Sequence, residues 1–393
     1  MPDRIPSDWP PVIWVDTPEQ LAEALVAWRA AGVIGVDTEA NSFYAYHERL
    51  CLVQVSSAEQ DWVVDPITLG DEAMQAFNPL LADPSVIKVF HAAEFDLMLL
   101  RKQLGATVGG LFDTQVAMTL LQHERTGLAA LIQSYYGMEL SKKEQRSDWG
   151  RRPLTADQIA YARIDTHFLP DLHARLVREL EEASMTVNAE GEFRRMEVEV
   201  LEPSPPDPER WRKLKGARGM DGAQMARLQA LFAWREETAE QRDVPPFKVL
   251  GNNGLIELAR RPPTSVKQLA SVDGVGWKSA RRVGDALMKV LQSSEGKTLD
   301  ASVPKVSPEE RRRRRVQREN LDALRDWRKR TAQELGLPSE RLLHRRQLEA
   351  IAKELPRDAA ALEQVVPLND WQREHLESSL LATLEELPDP GSA

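Results

Sequence analysis

The chain has 393 residues, 42% of them hydrophobic, a single cysteine and a net charge of −10. That length suggests about two or three domains, each with its own core, and no apolar run reaches the roughly 18 residues that a membrane span needs. One cysteine excludes an intrachain disulfide, and with a polar, Pro-rich start at 1–11 it fits a reducing, cytoplasmic setting.

The charge is unevenly divided. Residues 1–206 carry the acidic excess and residues 207–393 a basic one. An acidic first part argues against gripping phosphates by charge alone and suits a site that gathers metal cations. The basic second part is where a polyanion would be held.

In chain order, 19–31 reads as a helix and 33–36 as a short buried strand. Further strands are expected at 51–56, 62–64 and 86–90, and helices at 93–104, 113–122, 127–136 and 155–180. Strands that come early and hairpin-like, then alternate with helices, predict an α/β layer fold with a mixed sheet flanked by helices. Cys51 reads as a small core residue. The Pro-rich segment 201–208 breaks any regular element and marks a linker. A second linker is expected at 293–308.

Beyond Pro208 the pattern is all-helical and repeats itself. The stretch 231–239 around Trp234 matches 324–332 around Trp327. In each copy a proline follows that tryptophan by 11 residues, at Pro245 and Pro338. A Leu-rich helix comes next, at 255–259 and 348–350, and then a later tryptophan, Trp277 and Trp371. Offsets of 93 and 94 residues indicate a duplicated domain of about 80 residues rather than a solenoid of short units. The expected organisation is an α/β domain over 1–202 and two all-α helical bundles over 209–292 and 309–388.

The two copies differ. The first carries a Gly-x-Gly turn, Gly274 to Gly276. It reads either as an ordinary interhelical turn or as backbone N–H groups offered to a phosphate, with Lys278, Arg281 and Arg282 beside it. The second has Pro367, Asn369 and Asp370 there and no glycine. The arginine run 311–315 reads as a solvated helical face, with a nucleic-acid contact as the alternative.

The acids that bear on chemistry come from three places. Asp37 and Glu39 follow the strand at 33–36 and share one face of it. A core strand does not place two like charges side by side, because one would have to protonate. A divalent cation removes that conflict; an exposed strand end is the other reading. Asp96 falls on the first turn of the helix after strand 86–90, where a carboxylate also suits the helix dipole. Tyr161 and Asp165 are four apart on one helix face, which Ile164, Phe168, Leu169 and Leu172 mark as partly buried. A carboxylate there needs a partner, and Tyr161 reads equally as a core aromatic with its hydroxyl satisfied. Asp113 reads as a helix N-cap. His47, His91, His123 and His167 lack the spacing of a zinc site.

In this order, the blocks Val36-Asp37-Thr38-Glu39, His91-Ala-x-x-x-Asp96-Leu97 and Tyr161-x-x-x-Asp165 resemble the ribonuclease D group of the DEDD 3′-to-5′ exonucleases. Leu111-Phe112-Asp113-Thr114-Gln115, the Gly127-Leu-Ala-Ala-Leu131 block and the segment 145–154 extend the resemblance over most of 10–185. The set is specific where each block alone is not. The helical repeats are similar to the small HRDC-like domains at the C-terminus of ribonuclease D and of RecQ-type helicases.

The resemblance implies a ribonuclease H-like exonuclease fold. It also implies two divalent ions, Mg2+ or Mn2+, held by Asp37, Glu39, Asp96 and Asp165. Tyr161 marks the tyrosine subgroup and would position the attacking water. The implied activity is 3′-to-5′ exoribonuclease, releasing nucleoside 5′-monophosphates from RNA with an accessible 3′ end, tRNA precursors above all. Single-stranded DNA in repair, and a catalytically inactive nucleic-acid-binding adaptor, are the rival readings. The chain departs from the family at Ala40, where an aromatic is common, so Phe43 or Tyr46 is expected to take that contact. The polar stretch 41–49 is expected to be a mobile loop over the site.

Overall fold

The computed structural model describes residues 9–141, 143–199, 207–300, 307–337, 339 and 342–390. The domain end expected at 202, most of the linker at 201–208, part of the second linker and Pro338 lie outside the described residues.

Among the described residues six strands form one mixed sheet: β1 (Ile13–Val15), β2 (Val33–Ala40), β3 (Leu50–Ser56), β4 (Asp61–Val64), β5 (Ile87–Phe90) and β6 (Leu111–Asp113). Their spatial order is β1-β4-β3-β2-β5-β6. β2, β3 and β4 are antiparallel neighbours, whereas β5 joins β2, β6 joins β5, and β1 joins β4 in parallel. Every residue of β3 is buried, as befits a central strand covered on both faces. The outer strands β1 and β6 were not expected. Each has only three residues, too few to show a period of two, and each is defined by its neighbour.

Among the described residues, nine α-helices of this domain follow in order. They are α1 (Pro18–Ala31), α2 (Pro66–Met74), α3 (Asn78–Ala82), α4 (Glu94–Leu104), α5 (Thr114–Leu120), α6 (Leu128–Tyr136), α7 (Ala156–His167), α8 (Leu169–Glu182) and α9 (Thr186–Val198). The single helix expected over 155–180 is instead two. Pro170 lies in the first turn of α8; it lacks an N–H and would clash with the preceding turn, so the chain restarts at Phe168. α7 opens on a capping box between Thr155 and Gln158.

The α7–α8 junction presses on β2. A Cβ added to Gly35 would lie 2.7 Å from Leu169 Cβ and 2.8 Å from the Thr166 carbonyl oxygen. Only glycine permits that approach. The hydroxyls of Ser56 and Thr166 meet at 2.7 Å on the same side. Gly35, Asp37 and Glu39 alternate onto one face of β2, so this contact carries α7 over the two acids.

The second half forms two helical units with separate cores. The first contains α10 (Gly222–Gln241), α11 (Pro246–Val249), α12 (Asn252–Arg260), α13 (Val266–Leu269) and α14 (Gly276–Ser293), packed around Trp211, Leu231, Leu255 and Leu287. The second contains α15 (Pro308–Glu334), α16 (Arg345–Glu354), α17 (Ala359–Val365) and α18 (Asp370–Glu386), packed around Leu324, Trp327, Leu348 and Leu380. Leu231 and Leu324 hold matching places, as do Leu255 and Leu348, so the repeat in sequence is a repeat of core positions. The arginines at 311–315 are exposed on α15, where Arg314 pairs with Glu310 at 2.7 Å one turn earlier.

The two units meet the α/β domain at different places. In the first, the Asp243 carboxylate accepts the backbone N–H groups of Tyr46 at 3.0 Å and His47 at 3.2 Å, and Lys248 Nζ sits 4.1 Å from the centre of the Tyr44 ring. In the second, α18 packs on α9, with Asn369 so close to Gly191 that a Cβ there would lie 2.5 Å from Asn369 Cβ. The 41–49 loop is therefore tied down rather than loose. Asn41 O also accepts the amides of Tyr44 and Ala45, and Tyr44 Oη donates to Arg146 O at 2.7 Å.

Candidate active site

Strand β2 delivers Asp37 and Glu39, and a register shift between Glu39 and Ala40 ends its regular pairing with β3. Such a bulge turns the strand end and re-aims its last side chains. Helix α7 crosses above and supplies Tyr161 and Asp165. Ligand oxygens of Asp37, Glu39 and Asp165 all lie within 4.8 Å of one another. Tyr161 lies one turn before Asp165 on the same face of α7.

Asp96 stands beside this trio rather than within it. It lies in the first turn of α4 and is buried, and its Oδ1 accepts the Thr38 hydroxyl at 2.5 Å. Thr38 alternates with Asp37 and Glu39, so its side chain leaves the opposite face of β2. The same strand thus holds two acids on one side and anchors a third from the other. Asp113 organises the turn that brings Asp96 there. It caps α5, as expected, through the amides of Gln115 and Val116, and it also accepts the Ala92 and Ala93 amides at 3.2 and 2.8 Å. Ala92 is left-handed, with φ 60°, and that conformation opens the way into α4.

The electrostatics of the four acids agree in sign. Burial raises Asp37 well above the ordinary carboxylate range, and Asp165 adds to it. Glu39 is pushed up to about 10 by burial first, then by Asp37, Asp165 and Asp96. Burial and Asp37 raise Asp96 against the lowering bond from Thr38. Asp165 reaches about 7 through burial, opposed by the Tyr161 hydroxyl. Burial and the nearby acids push the Tyr161 phenol far above its usual range, so it stays protonated at neutral pH.

Among the described residues no arginine or lysine pairs with any of the four, although Arg163 and Arg152 satisfy Asp61 and Asp65 in the same domain. Gln54 lies directly opposite Asp37 in the β2–β3 register, buried, with neither side-chain amide atom hydrogen-bonded. Uncompensated carboxylates and an unsatisfied amide in one buried place are costly unless something else fills the site. Four hard oxygen donors suit a divalent cation of the Mg2+ class.

The comparisons agree with this geometry. Residues 12–181 match the 3′-5′ exonuclease family, and 224–291 and 317–384 each match the HRDC domain. Ribonuclease D of Pseudomonas paraeruginosa (strain PA7) is 31% identical over 386 residues, covering 96% of this chain and 98% of the relative. The chain belongs to the ribonuclease D family. Among solved structures, Escherichia coli RNase D, described as an exoribonuclease involved in structured RNA processing, aligns at 27% identity with a TM-score of 0.65. That alignment covers 97% of this chain and all of that one. The catalytic core of RRP6 from Trypanosoma brucei aligns at 28% identity and a TM-score of 0.66, covering 75% and 82% of the two chains. A ribonuclease D-family member with this acidic cluster is a nuclease, and the family implies divalent metal ions.

Sequence reasoning named Asp37, Glu39, Asp96, Tyr161 and Asp165, but it missed Thr38 and Gln54. Thr38 had a signal, since the alternation that pairs Asp37 with Glu39 sends it to the other side of the strand. Gln54 had none, because its place opposite Asp37 depends on a register that the sequence does not display. Two of the histidines are held by hydrogen bonds away from the acids: His91 meets Thr114 at 2.9 Å and His167 meets Asp61 at 3.0 Å.

Proposed function

We propose that this chain is a 3′-to-5′ exoribonuclease that hydrolyses the terminal phosphodiester of RNA with an accessible 3′ end and releases nucleoside 5′-monophosphates. The observation that carries the reading is the convergence of four carboxylates, Asp96 buried and the other three half-buried, with no arginine or lysine paired to them among the described residues. Asp37, Glu39, Asp96 and Asp165 would hold two divalent ions, Mg2+ or Mn2+. When bound, such ions lower the pKa of the attacking water and offset the charge that grows on the attacking and leaving oxygens.

The chain's own groups do the rest. Thr38 fixes the rotamer of Asp96, and the α7 contact at Gly35 fixes the height of Asp165 over β2. The Tyr161 phenol keeps its proton, so it orients the water as a hydrogen-bonding group rather than acting as a base. Water attacks phosphorus, the bond from phosphorus to the upstream 3′ oxygen breaks, and that oxygen leaves as the new 3′ hydroxyl.

The expected substrate is a structured RNA, with tRNA precursors as the leading case. The part that the Escherichia coli relative plays in structured RNA processing supports this, as does the basic excess of the helical half. The single buried cysteine supports a cytoplasmic setting, and no helix among the described residues is long and apolar enough to cross a membrane. The HRDC match, shared in kind with RecQ-type helicases, favours single-stranded DNA as the second reading.

Digestion of 3′-labelled RNA and DNA of one sequence, side by side with Mg2+ and Mn2+, tests both. Faster loss of mononucleotides from the RNA is the expected result, and DNA preference would reverse the order of the two readings. Asp37→Asn and Asp165→Asn should bind RNA as tightly as the wild type yet cleave at least about 10²–10³-fold more slowly. Full metal-dependent activity in either variant would overturn the ligand assignment.

A further inference from the structure

We propose that Gln54 is a positioning residue for the acidic site. Its side-chain N–H donates to the Asp37 carboxylate when that carboxylate holds an ion, and its carbonyl oxygen accepts from water on the ion. The proposal rests on the metal-dependent exoribonuclease reading above.

The strand register puts Gln54 on the face of the sheet that carries the acids. Gly35 pairs with Ser56, and Asp37 with Gln54. The Ser56 hydroxyl meets Thr166 of α7 at 2.7 Å, so Ser56 and, two residues before it, Gln54 both face α7. Side chains directly opposite each other start about 4.5–5.5 Å apart at Cβ. A glutamine carboxamide spans that gap to a neighbouring carboxylate.

Gln54 is 0% exposed, and neither Nε2 nor Oε1 has a hydrogen-bond partner. Burying an amide in that state works against folding. Its neighbours along and across the strands leave one acid. Val63 lies opposite on β4 and Leu52 two residues before it, both in an apolar cluster with Ala162 of α7. Ser56 is engaged with Thr166. Asp37 alone among these side chains offers a carboxylate.

Asp37 has the matching need. A carboxylate that ligates an ion is oriented by hydrogen bonds to its remaining lone pairs. Thr38 supplies such a bond to Asp96 at 2.5 Å, whereas no side chain among the described residues hydrogen-bonds Asp37. Gln54 is the donor placed to do so, and being neutral it does not compete with the ion as a lysine or arginine would. Mg2+ keeps several of its waters, which gives Oε1 a donor beside an otherwise apolar cluster.

The test uses the full chain with Gln54→Met, which nearly keeps the volume and removes both polar atoms, and Gln54→Leu, which removes them with a different shape. Mn2+ affinity measured by calorimetry should fall about 10–100-fold in both. The melting temperature in EDTA should stay at or above the wild-type value, because the orphaned amide is gone. With a 3′-labelled oligoribonucleotide, kcat should fall at limiting Mn2+ and recover in saturating Mn2+, with KM for the RNA unchanged. Wild-type Mn2+ affinity in the variants, or a loss that accompanies a lower melting temperature in EDTA, would overturn the role and leave the exoribonuclease reading standing. A wild type that binds Mn2+ but leaves RNA intact would overturn that reading alone, and one that binds no Mn2+ would overturn both.

Discussion

Two groups of carboxylates share the α/β domain, Asp61 and Asp65 fully buried and the four at the site buried or half-buried, and they are treated in opposite ways. Asp61, on β4, is met by Arg163 Nε at 2.5 Å and His167 Nδ1 at 3.0 Å. Burial pushes its pKa up, but the bonds from His167, Ser56 and Arg163 outweigh it and hold it below the ordinary value. Asp65 is gripped by two guanidinium nitrogens of Arg152 at 2.6 and 2.7 Å and is likewise lowered. At Asp37, Glu39, Asp96 and Asp165 burial acts in the same direction, yet the near neighbours are other acids. One helix serves both groups: α7 turns Arg163 and His167 towards Asp61, and Tyr161 and Asp165 towards β2. The protein supplies its own cation where an acid is structural and withholds it where a cation must come from outside.

The widest separation between the groups should appear on neutralising the paired one. Asp61→Asn leaves the buried Arg163 guanidinium without its anion, and breaking such a pair costs about 3–5 kcal/mol. Chemical denaturation should show that loss, while Mg2+ affinity measured by calorimetry stays at the wild-type value. A small loss of stability with a large loss of Mg2+ affinity would erase the distinction between the groups.

A second break comes at the contact that places α7 over the acids. Gly35→Ala puts a methyl group against Leu169 Cβ and the Thr166 carbonyl, both closer than 3 Å to the added carbon. Overpacking of this kind costs about 1–3 kcal/mol. Asp165 must then rise away from Asp37 and Glu39, so cleavage and Mg2+ affinity should fall together with stability. Asp61, whose partners move with the same helix, would be disturbed as well. This variant couples the two groups where Asp61→Asn separates them.

The third difference is in pH. Asp165 titrates near 7 and Glu39 near 10 in the folded, metal-free protein, each above its unfolded value. The folded state therefore holds more protons than the unfolded state through this range, and stability falls as pH rises. In EDTA, the melting temperature of the α/β domain should fall by several degrees between pH 6 and pH 8, since a group that keeps its proton only in the folded state contributes about 1.4 kcal/mol per pH unit. Excess Mg2+ should raise it more at pH 8 than at pH 6, because the ligands must lose their protons to bind. The paired acids are already ionised across that window and contribute no slope of this sign. A metal-free melting temperature that climbs from pH 6 to pH 8 would contradict the charge arrangement.

Much of this was legible in the sequence, for reasons that are local. Asp37 and Glu39 share a face by the period of a strand, and Tyr161 and Asp165 by the turn of a helix. Asp96 is placed by a strand-to-helix junction. What stayed hidden depends on pairing across distance. The docking of Tyr46 and His47 on Asp243 joins residues nearly two hundred positions apart, and Gln54 meets Asp37 only through register. The break at Phe168 is a different case, since Pro170 was visible in the sequence. The outer strands carry too few residues for any period to declare itself.

The finest test reverses a sign. Replacing a buried acid by its amide normally destabilises, as at Asp61. At Glu39 the carboxylate is the unfavourable form, since burial and three acidic neighbours raise its pKa to about 10. Glu39→Gln keeps the shape and is neutral without a proton, whereas the wild type must take up a proton to bury Glu39 at pH 8. In EDTA at pH 8 the variant should be more stable than the wild type by about 1 kcal/mol, within the range for sites whose function works against stability. The gain should vanish in saturating Mg2+, where the wild type recovers what the missing ligand would have given, and cleavage should be lost in either condition. A Glu39→Gln protein less stable than the wild type in EDTA would mean that Glu39, like Asp61, has a partner of its own.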